Sequence, residues 1–215
     1  PVSSSGRQIV VKVGVPSEVK NHEYRVAITP VGVNELRENG HEVLIQRGAG
    51  LGSSITDDDF RAQGAQIIDS ADDVWGEADM VLKVKEPVAE EYHRMREGLT
   101  LFTYLHLAAD RPLTEELCAR KVTSIAYETV QLPSGMLPLL YPMSEVAGCL
   151  APQVGAYSMM RAQGGRGVLM GGVGGVANAK VKWPNHAGLV ATDRIVFVNN
   201  FLRFFENNRL RSDGV

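Results

Sequence analysis

Short apolar runs alternate with stretches of helical spacing over roughly the first 130 residues. Residues 9–11 and 13–15 make a β-branched run that predicts a strand. A helix follows: Thr29 can cap it, Pro30 suits its first position, and Gly40 suits its end. Val33 and Leu36 supply its apolar face. Residues 42–45 predict a second strand. Residues 57–65 predict a short helix with acids at its start, where the helix dipole favours them. Residues 80–82, 99–107 and 122–127 predict further strands, and residues 113–120 a helix. Strands separated by helices imply parallel pairing through crossovers, hence an α/β fold with a mostly parallel, twisted sheet flanked by helices. Ligands of open parallel sheets bind beyond the C-terminal strand ends. The polar residues there are Lys83, Lys85, His106 and Glu128.

A long connecting helix is predicted from Ser144 to about Gln163, with Val146, Leu150, Val154, Tyr157 and Met160 recurring at helical spacing. Glycine then dominates residues 164–175, which read as a loop or hinge. Beyond Asn178 the composition changes. Four of the six phenylalanines lie there, and Val198, Phe201, Leu202 and Phe205 fall on one face of a possible helix over residues 195–210.

Composition narrows the function classes. At 44% hydrophobic and 22% charged residues the chain is an ordinary globular sequence. Its net charge of -3 gives no general attraction to nucleic acid or to membranes. Cys118 and Cys149 are too few for a disulfide framework and read as free thiols. No apolar run approaches the roughly 18 residues that a membrane span needs. Residues 1–10 read as a disordered polar leader and not as a secretory signal. A cytoplasmic protein is the expectation, with export as the alternative.

Several longer motifs then carry a family resemblance. Val13-Gly14-Val15-Pro16-Ser17-Glu18-Val19-Lys20-Asn21, followed by Glu23-Tyr24-Arg25-Val26-Ala27, resembles the N-terminal motif of alanine dehydrogenases and transhydrogenase α subunits. Leu82-Lys83-Val84-Lys85-Glu86-Pro87 resembles the second motif that they share. Phe102-Thr103-Tyr104-Leu105-His106-Leu107-Ala108-Ala109 is similar to the alanine dehydrogenase version. Ala126-Tyr127-Glu128-Thr129-Val130 and Pro142-Met143-Ser144-Glu145-Val146-Ala147-Gly148 continue the likeness, as does the glycine-rich stretch from Gly164 to Val173. The resemblance is collinear over about residues 11 to 178.

The resemblance implies a substrate domain at residues 11–143, a connecting helix and hinge at 144–178, and an atypical tail at 179–215. It implies reversible, NAD-dependent oxidative deamination of L-alanine to pyruvate and ammonia. Arg25 would hold the substrate carboxylate, since a guanidinium offers a planar charged fork. Lys85 would hold the keto oxygen, and His106 would exchange the proton. Met143 and Ser144 match positions beside the nicotinamide, and no metal ligands are assigned. On the residues alone, each has a plainer reading: a surface ion pair for Arg25, a solvated lysine for Lys85, a structural histidine for His106 and core filling for Met143. Glu128 reads equally as an ion-pair partner in the site or as a surface acid.

Gly172-Val173-Gly174-Gly175-Val176-Ala177 fits G-x-G-x-x-A, but it follows a helix and a loop where a dinucleotide turn needs a strand before it and an apolar helix after it. The resemblance makes it the hinge before a nucleotide domain, and the residues after Val176 are too few for a whole Rossmann unit. Cys149 stands where the family usually has arginine, Pro152 interrupts the connecting helix, and Gly174 replaces the usual hinge proline. The expectation is therefore a chain incomplete for hydride transfer by itself, with NAD as the family's cofactor. The alternative is a non-catalytic module that binds 2-oxo acids or forms homo-oligomers. The apolar residues of the tail would then cover exposed surface or mediate self-association.

Overall fold

A computed structural model describes residues 10–169 of the 215-residue chain. Residues 1–9 of the predicted leader, the Gly172–Ala177 motif and the phenylalanine-rich tail lie outside the described residues. The chain divides after Thr129 into two compact units.

The first unit is built on a six-stranded sheet, and every pairing in it is parallel. In chain order its elements are β1 (Lys12–Val15), α1 (Pro30–Glu38), β2 (Glu42–Gln46), α2 (Asp57–Ala62), β3 (Gln66–Ile68), α3 (Ala71–Glu77), β4 (Met80–Leu82), β5 (Thr100–Thr103), α4 (Arg111–Ala119) and β6 (Thr123–Ala126). The strands lie side by side in the order β3-β2-β1-β4-β5-β6. In β1, Val13 pairs with Val43 on one side and with Met80 on the other. The α/β fold expected from the sequence is thus the one these residues form.

The central strands β1, β2 and β4 are largely apolar on both faces because both faces are covered. On one, Val15, Val43 and Ile45 pack with Val33 of α1 and Phe60 of α2. On the other, Val81, Leu99 and Leu101 pack with Trp75 of α3 and with Leu113 and Leu117 of α4. Gly14 marks the closest approach of a helix to the sheet. A Cβ there would meet the Ala78 Cβ at 2.7 Å and the Val74 backbone oxygen at 3.0 Å, so only glycine lets the end of α3 lie against β1.

The helix ends follow their caps. Thr29 caps α1 with Pro30 in its first turn. Thr56 and Asp59 form a reciprocal capping box on α2, and Ser70 accepts from the Asp72 and Asp73 amides at the start of α3. Asp110 caps α4, which begins at Arg111, two residues before the sequence signal at Leu113. The strand expected over residues 99–107 is shorter. It ends at Thr103, because the chain turns at Tyr104 to His106.

In the second unit, α5 runs from Tyr141 to Ser158 and a short 3₁₀ turn covers Arg161–Gln163. The helix begins three residues before the expected Ser144 and continues through Pro152, which does not end it. Cys118 and Cys149 are free and exposed. No helix among the described residues is long and apolar enough to cross a membrane.

Candidate functional site

Strand order singles out one edge of the sheet. From β1 the chain winds outward to β2 and β3, then returns to β4 on the other side of β1 and winds outward through β5 and β6. The switch point between β1 and β4 opens a crevice at the C-terminal strand ends, where sheets of this kind take their ligands. Three segments leave the sheet there: the one after β1 that carries Glu18, Glu23 and Arg25, the one after β4 that carries Lys83 and Lys85, and the one after β5 that carries Tyr104 and His106.

Arg25 makes a two-pronged pair with Glu23. Its Nε donates to Oε1 at 2.8 Å and its Nη2 to Oε2 at 2.7 Å. The Arg25 side chain is 45% exposed, whereas that of Glu23 is 7% exposed. Burial pushes the Glu23 carboxyl up, but the Arg25 hydrogen bonds and charge outweigh it, with help from Lys85, and hold it below the usual range. In turn the Glu23 bonds raise the Arg25 guanidinium pKa against the opposing effect of burial. The loop bearing Arg25 is anchored from α2's side of the sheet. Ser53 Oγ donates to the Tyr24 carbonyl at 3.0 Å, and a Cβ on Gly52 would lie 2.5 Å from that same oxygen.

The two lysines after β4 part company. Lys83 is fully buried, with Nζ 2.9 Å from Glu91 Oε1 and 3.5 Å from Glu18 Oε2. It is a structural ion pair and not a ligand contact. Lys85 is half-buried, and its charge acts on Glu23, which places it in the neighbourhood of Arg25. Glu18 accepts the Val84 and Lys85 amides at 2.6 and 3.2 Å. Burial raises the Glu18 pKa, opposed by Lys83 and by those two amides.

His106 sits in the left-handed backbone region, φ 50° and ψ 36°. Its ring stacks on Tyr104 with centroids 6.0 Å apart, and Tyr104 meets Tyr127 edge-on at 5.0 Å. Tyr127 in turn packs against Phe102 of β5 at 4.4 Å. Burial raises the Tyr104 phenol, while the Arg25 charge lowers it. Glu128, buried, accepts from the Leu105 and His106 amides through Oε1 at 3.1 and 2.7 Å. Of the two readings open for Glu128, neither a surface acid nor an ion pair describes it. It is a buried backbone acceptor.

The buried phenols carry a pH prediction. Burial pushes the Tyr127 hydroxyl far above its ordinary 10.0, and Tyr104 and Tyr92 upward less. Unfolded tyrosines ionise first as pH rises, so this contribution is complete below about pH 10 and is lost above it, at up to about 1.4 kcal/mol per pH unit for Tyr127. Urea unfolding at about pH 9 and about pH 11 measures the loss, and Tyr127→Phe lowers it. An equal loss in the variant removes Tyr127 from the account.

In the second unit, Met143 and Ser144 both lie in the first turn of α5, their amides bonded to the Leu140 carbonyl at 3.1 and 3.3 Å. The Ser144 hydroxyl is buried without a hydrogen-bond partner among the described residues.

The description "Alanine dehydrogenase/PNT, N-terminal domain" matches residues 14–147, a span that holds every one of these residues. The chain belongs to this family. It is 67% identical over 169 residues to the alanine dehydrogenase of Mycolicibacterium smegmatis, covering 79% of this chain and 46% of that protein. It is 66% identical over 171 residues to the Mycobacterium tuberculosis alanine dehydrogenase, covering 80% and 46%. A solved structure of an L-alanine dehydrogenase superimposes with a TM-score of 0.71 at 48% identity, covering 88% of this chain and 52% of that one. The transhydrogenase of Sinorhizobium meliloti superimposes with a TM-score of 0.61 at 28% identity, covering 69% and 43%. The chain therefore spans about half the length of the curated relatives it matches.

With the alanine dehydrogenase/PNT family comes the question of a nicotinamide cofactor. A dinucleotide needs backbone amides at a glycine-rich turn between a strand and a helix for its pyrophosphate. The β1–α1 connection, residues 16–29, contains no glycine. That connection does not fit a phosphate cradle. Sequence reasoning gave no role to Glu18, Glu91 or Tyr104. The one available signal was an acid or phenol at a strand end, which is too common to single them out.

Proposed function

We propose that the first unit binds a small 2-oxo acid of pyruvate size, and L-alanine in the reverse direction, as the substrate half of an NAD-dependent alanine dehydrogenase. What supports this reading is the pairing of two cations, Arg25 and Lys85, around Glu23 beside the Tyr104–His106 stack, at the switch-point edge. Arg25 already forms with Glu23 the forked geometry that a substrate carboxylate would take, so the ligand competes with an internal carboxylate for a guanidinium already oriented. Lys85 donates to the keto oxygen as a point charge. His106 exchanges the proton when water adds to the imino carbon and ammonia leaves. NAD, when bound, supplies the hydride acceptor.

Calorimetric titration with pyruvate tests the substrate reading. Heat is expected from the unaltered chain. Arg25→Ala removes a charged double hydrogen bond and weakens binding by about 1.5–3 kcal/mol, on the order of ten- to a hundredfold. Lys85→Ala weakens it less. No heat from the unaltered protein, or equal affinity in Arg25→Ala, overturns the proposal.

A further inference from the structure

Two buried carboxylates hold the backbone beneath the two side chains that the proposed function puts on the reacting end of the substrate. Glu18 comes from the segment after β1, and its Oε1 and Oε2 accept from the Val84 and Lys85 amides. Glu128 comes from the 3₁₀ turn after β6, and its Oε1 accepts from the Leu105 and His106 amides. The arrangement repeats on adjacent strands. One carboxylate takes two consecutive amides just past the strand, and the second amide belongs to the side chain of interest.

Consecutive amides of an extended strand point to opposite sides, so two on one acceptor require the strand to stop and turn into an anion-holding concavity. At β5 that turn places His106 in the left-handed region, which a residue with a Cβ adopts only when its surroundings insist. The Glu128 oxygen, 2.7 Å from the His106 amide, is what insists. At β4 the Glu18 side chain, 3% exposed, is held against Val84 and Lys85 by the buried Lys83 ammonium, which Glu91 shares.

We propose that Glu18 and Glu128 are positioning residues: each clamps the backbone that aims Lys85 or His106 at the substrate, without touching it. The proposal rests on the reading of Lys85 and His106 as substrate-facing groups. A clamp works through hydrogen bonds, whereas an electrostatic role would work through charge, and glutamine separates the two. At Glu128, whose Oε1 takes both peptides, a glutamine oxygen can still accept from both while the charge is gone; at Glu18, whose two oxygens take one peptide each, it can accept from only one.

Amide hydrogen exchange, followed by NMR on the whole chain, reads the clamp directly. In Glu128→Ala, exchange at Leu105 and His106 speeds by about tenfold or more while Leu101 and Phe102 of β5 stay protected. Pyruvate affinity falls by about tenfold, and Glu128→Gln restores both to within about threefold. Glu18→Ala behaves likewise at Val84 and Lys85, and Glu18→Gln, with a single amide oxygen, restores only one of the two amides. Should an alanine variant fail to fold, the unaltered protein still decides. As each carboxyl is protonated on acidification, its two amide resonances move together and no others follow them so closely. Unchanged exchange in a folded alanine variant, amide pairs that titrate separately, or a Glu128→Gln variant as impaired as Glu128→Ala overturns the clamps. Absence of pyruvate binding in the unaltered chain instead overturns the substrate reading, and the exchange data alone then judge the clamps.

Discussion

Lys83→Met lowers the unfolding free energy by about 3–5 kcal/mol, measured as a fall in the urea midpoint at neutral pH. Lys83 has no exposed surface, and its ammonium lies between Glu91 at 2.9 Å and Glu18 at 3.5 Å. Methionine matches the volume of the aliphatic stem and removes only the charge. Two carboxylates then face each other out of water with nothing between them, and each keeps its desolvation penalty. The loss depends on pH in a definite direction. Burial already raises Glu18, and removing the cation that opposes this raises it further. A carboxyl whose folded pKa lies above its unfolded value stabilises below the unfolded value, near 4.5, and that stability is lost as pH rises through the folded value. The Lys83→Met deficit is therefore largest at neutral pH and shrinks on acidification. Adding Glu91→Gln recovers part of it. A deficit below about 1 kcal/mol, or one that does not vary with pH, contradicts the buried ion cluster.

Trp75→Ala costs a comparable amount, about 3–5 kcal/mol, for a different reason. Trp75 is fully buried on α3 in the cluster with Val81, Leu99, Leu101, Leu105, Leu113 and Leu117. This cluster packs β4 and β5, the strands that deliver Lys85 and His106, against α3 and α4. Truncation leaves a large cavity that the sheet cannot close, because Gly14 already brings the end of α3 as near to β1 as backbone contact allows. Trp75→Phe separates volume from polarity. The indole N–H is buried without a partner among the described residues, so removing it relieves a desolvation cost, and the smaller ring loses only part of the packing. Equal losses for the two variants in urea unfolding would contradict the cavity account.

Much of the fold follows from local pattern. The apolar runs at β1, β2 and β4 are strong because a parallel sheet covered on both faces needs no polar alternation. Thr29 with Pro30, and the acids after Thr56, are helix starts of a kind that any chain obeys locally. The short β3 and α3 escaped that reading. Three strand residues and a helix opening with two aspartates carry little periodicity, and only pairing with β2 and packing of Val74 and Trp75 make them elements. The strand after Leu99 was overextended because residues 104 to 107 are apolar enough to continue it. The Glu128 carboxylate, arriving from the next strand's end, ends it at Thr103 instead.

For the site, the sequence by itself determined the chemistry on offer: a guanidinium, two lysines and an imidazole at strand ends of a parallel sheet, in motifs that mark the family. Local spacing did not distinguish Lys83 from Lys85, which are the same residue type two positions apart; only the family resemblance singled out Lys85. Tertiary structure alone decided that one is sealed between Glu18 and Glu91 and the other stands near Glu23 and Arg25. The physical reason is that the state of a charge depends on which distant groups share its low-dielectric surroundings, and strand order, not local spacing, brings those groups together.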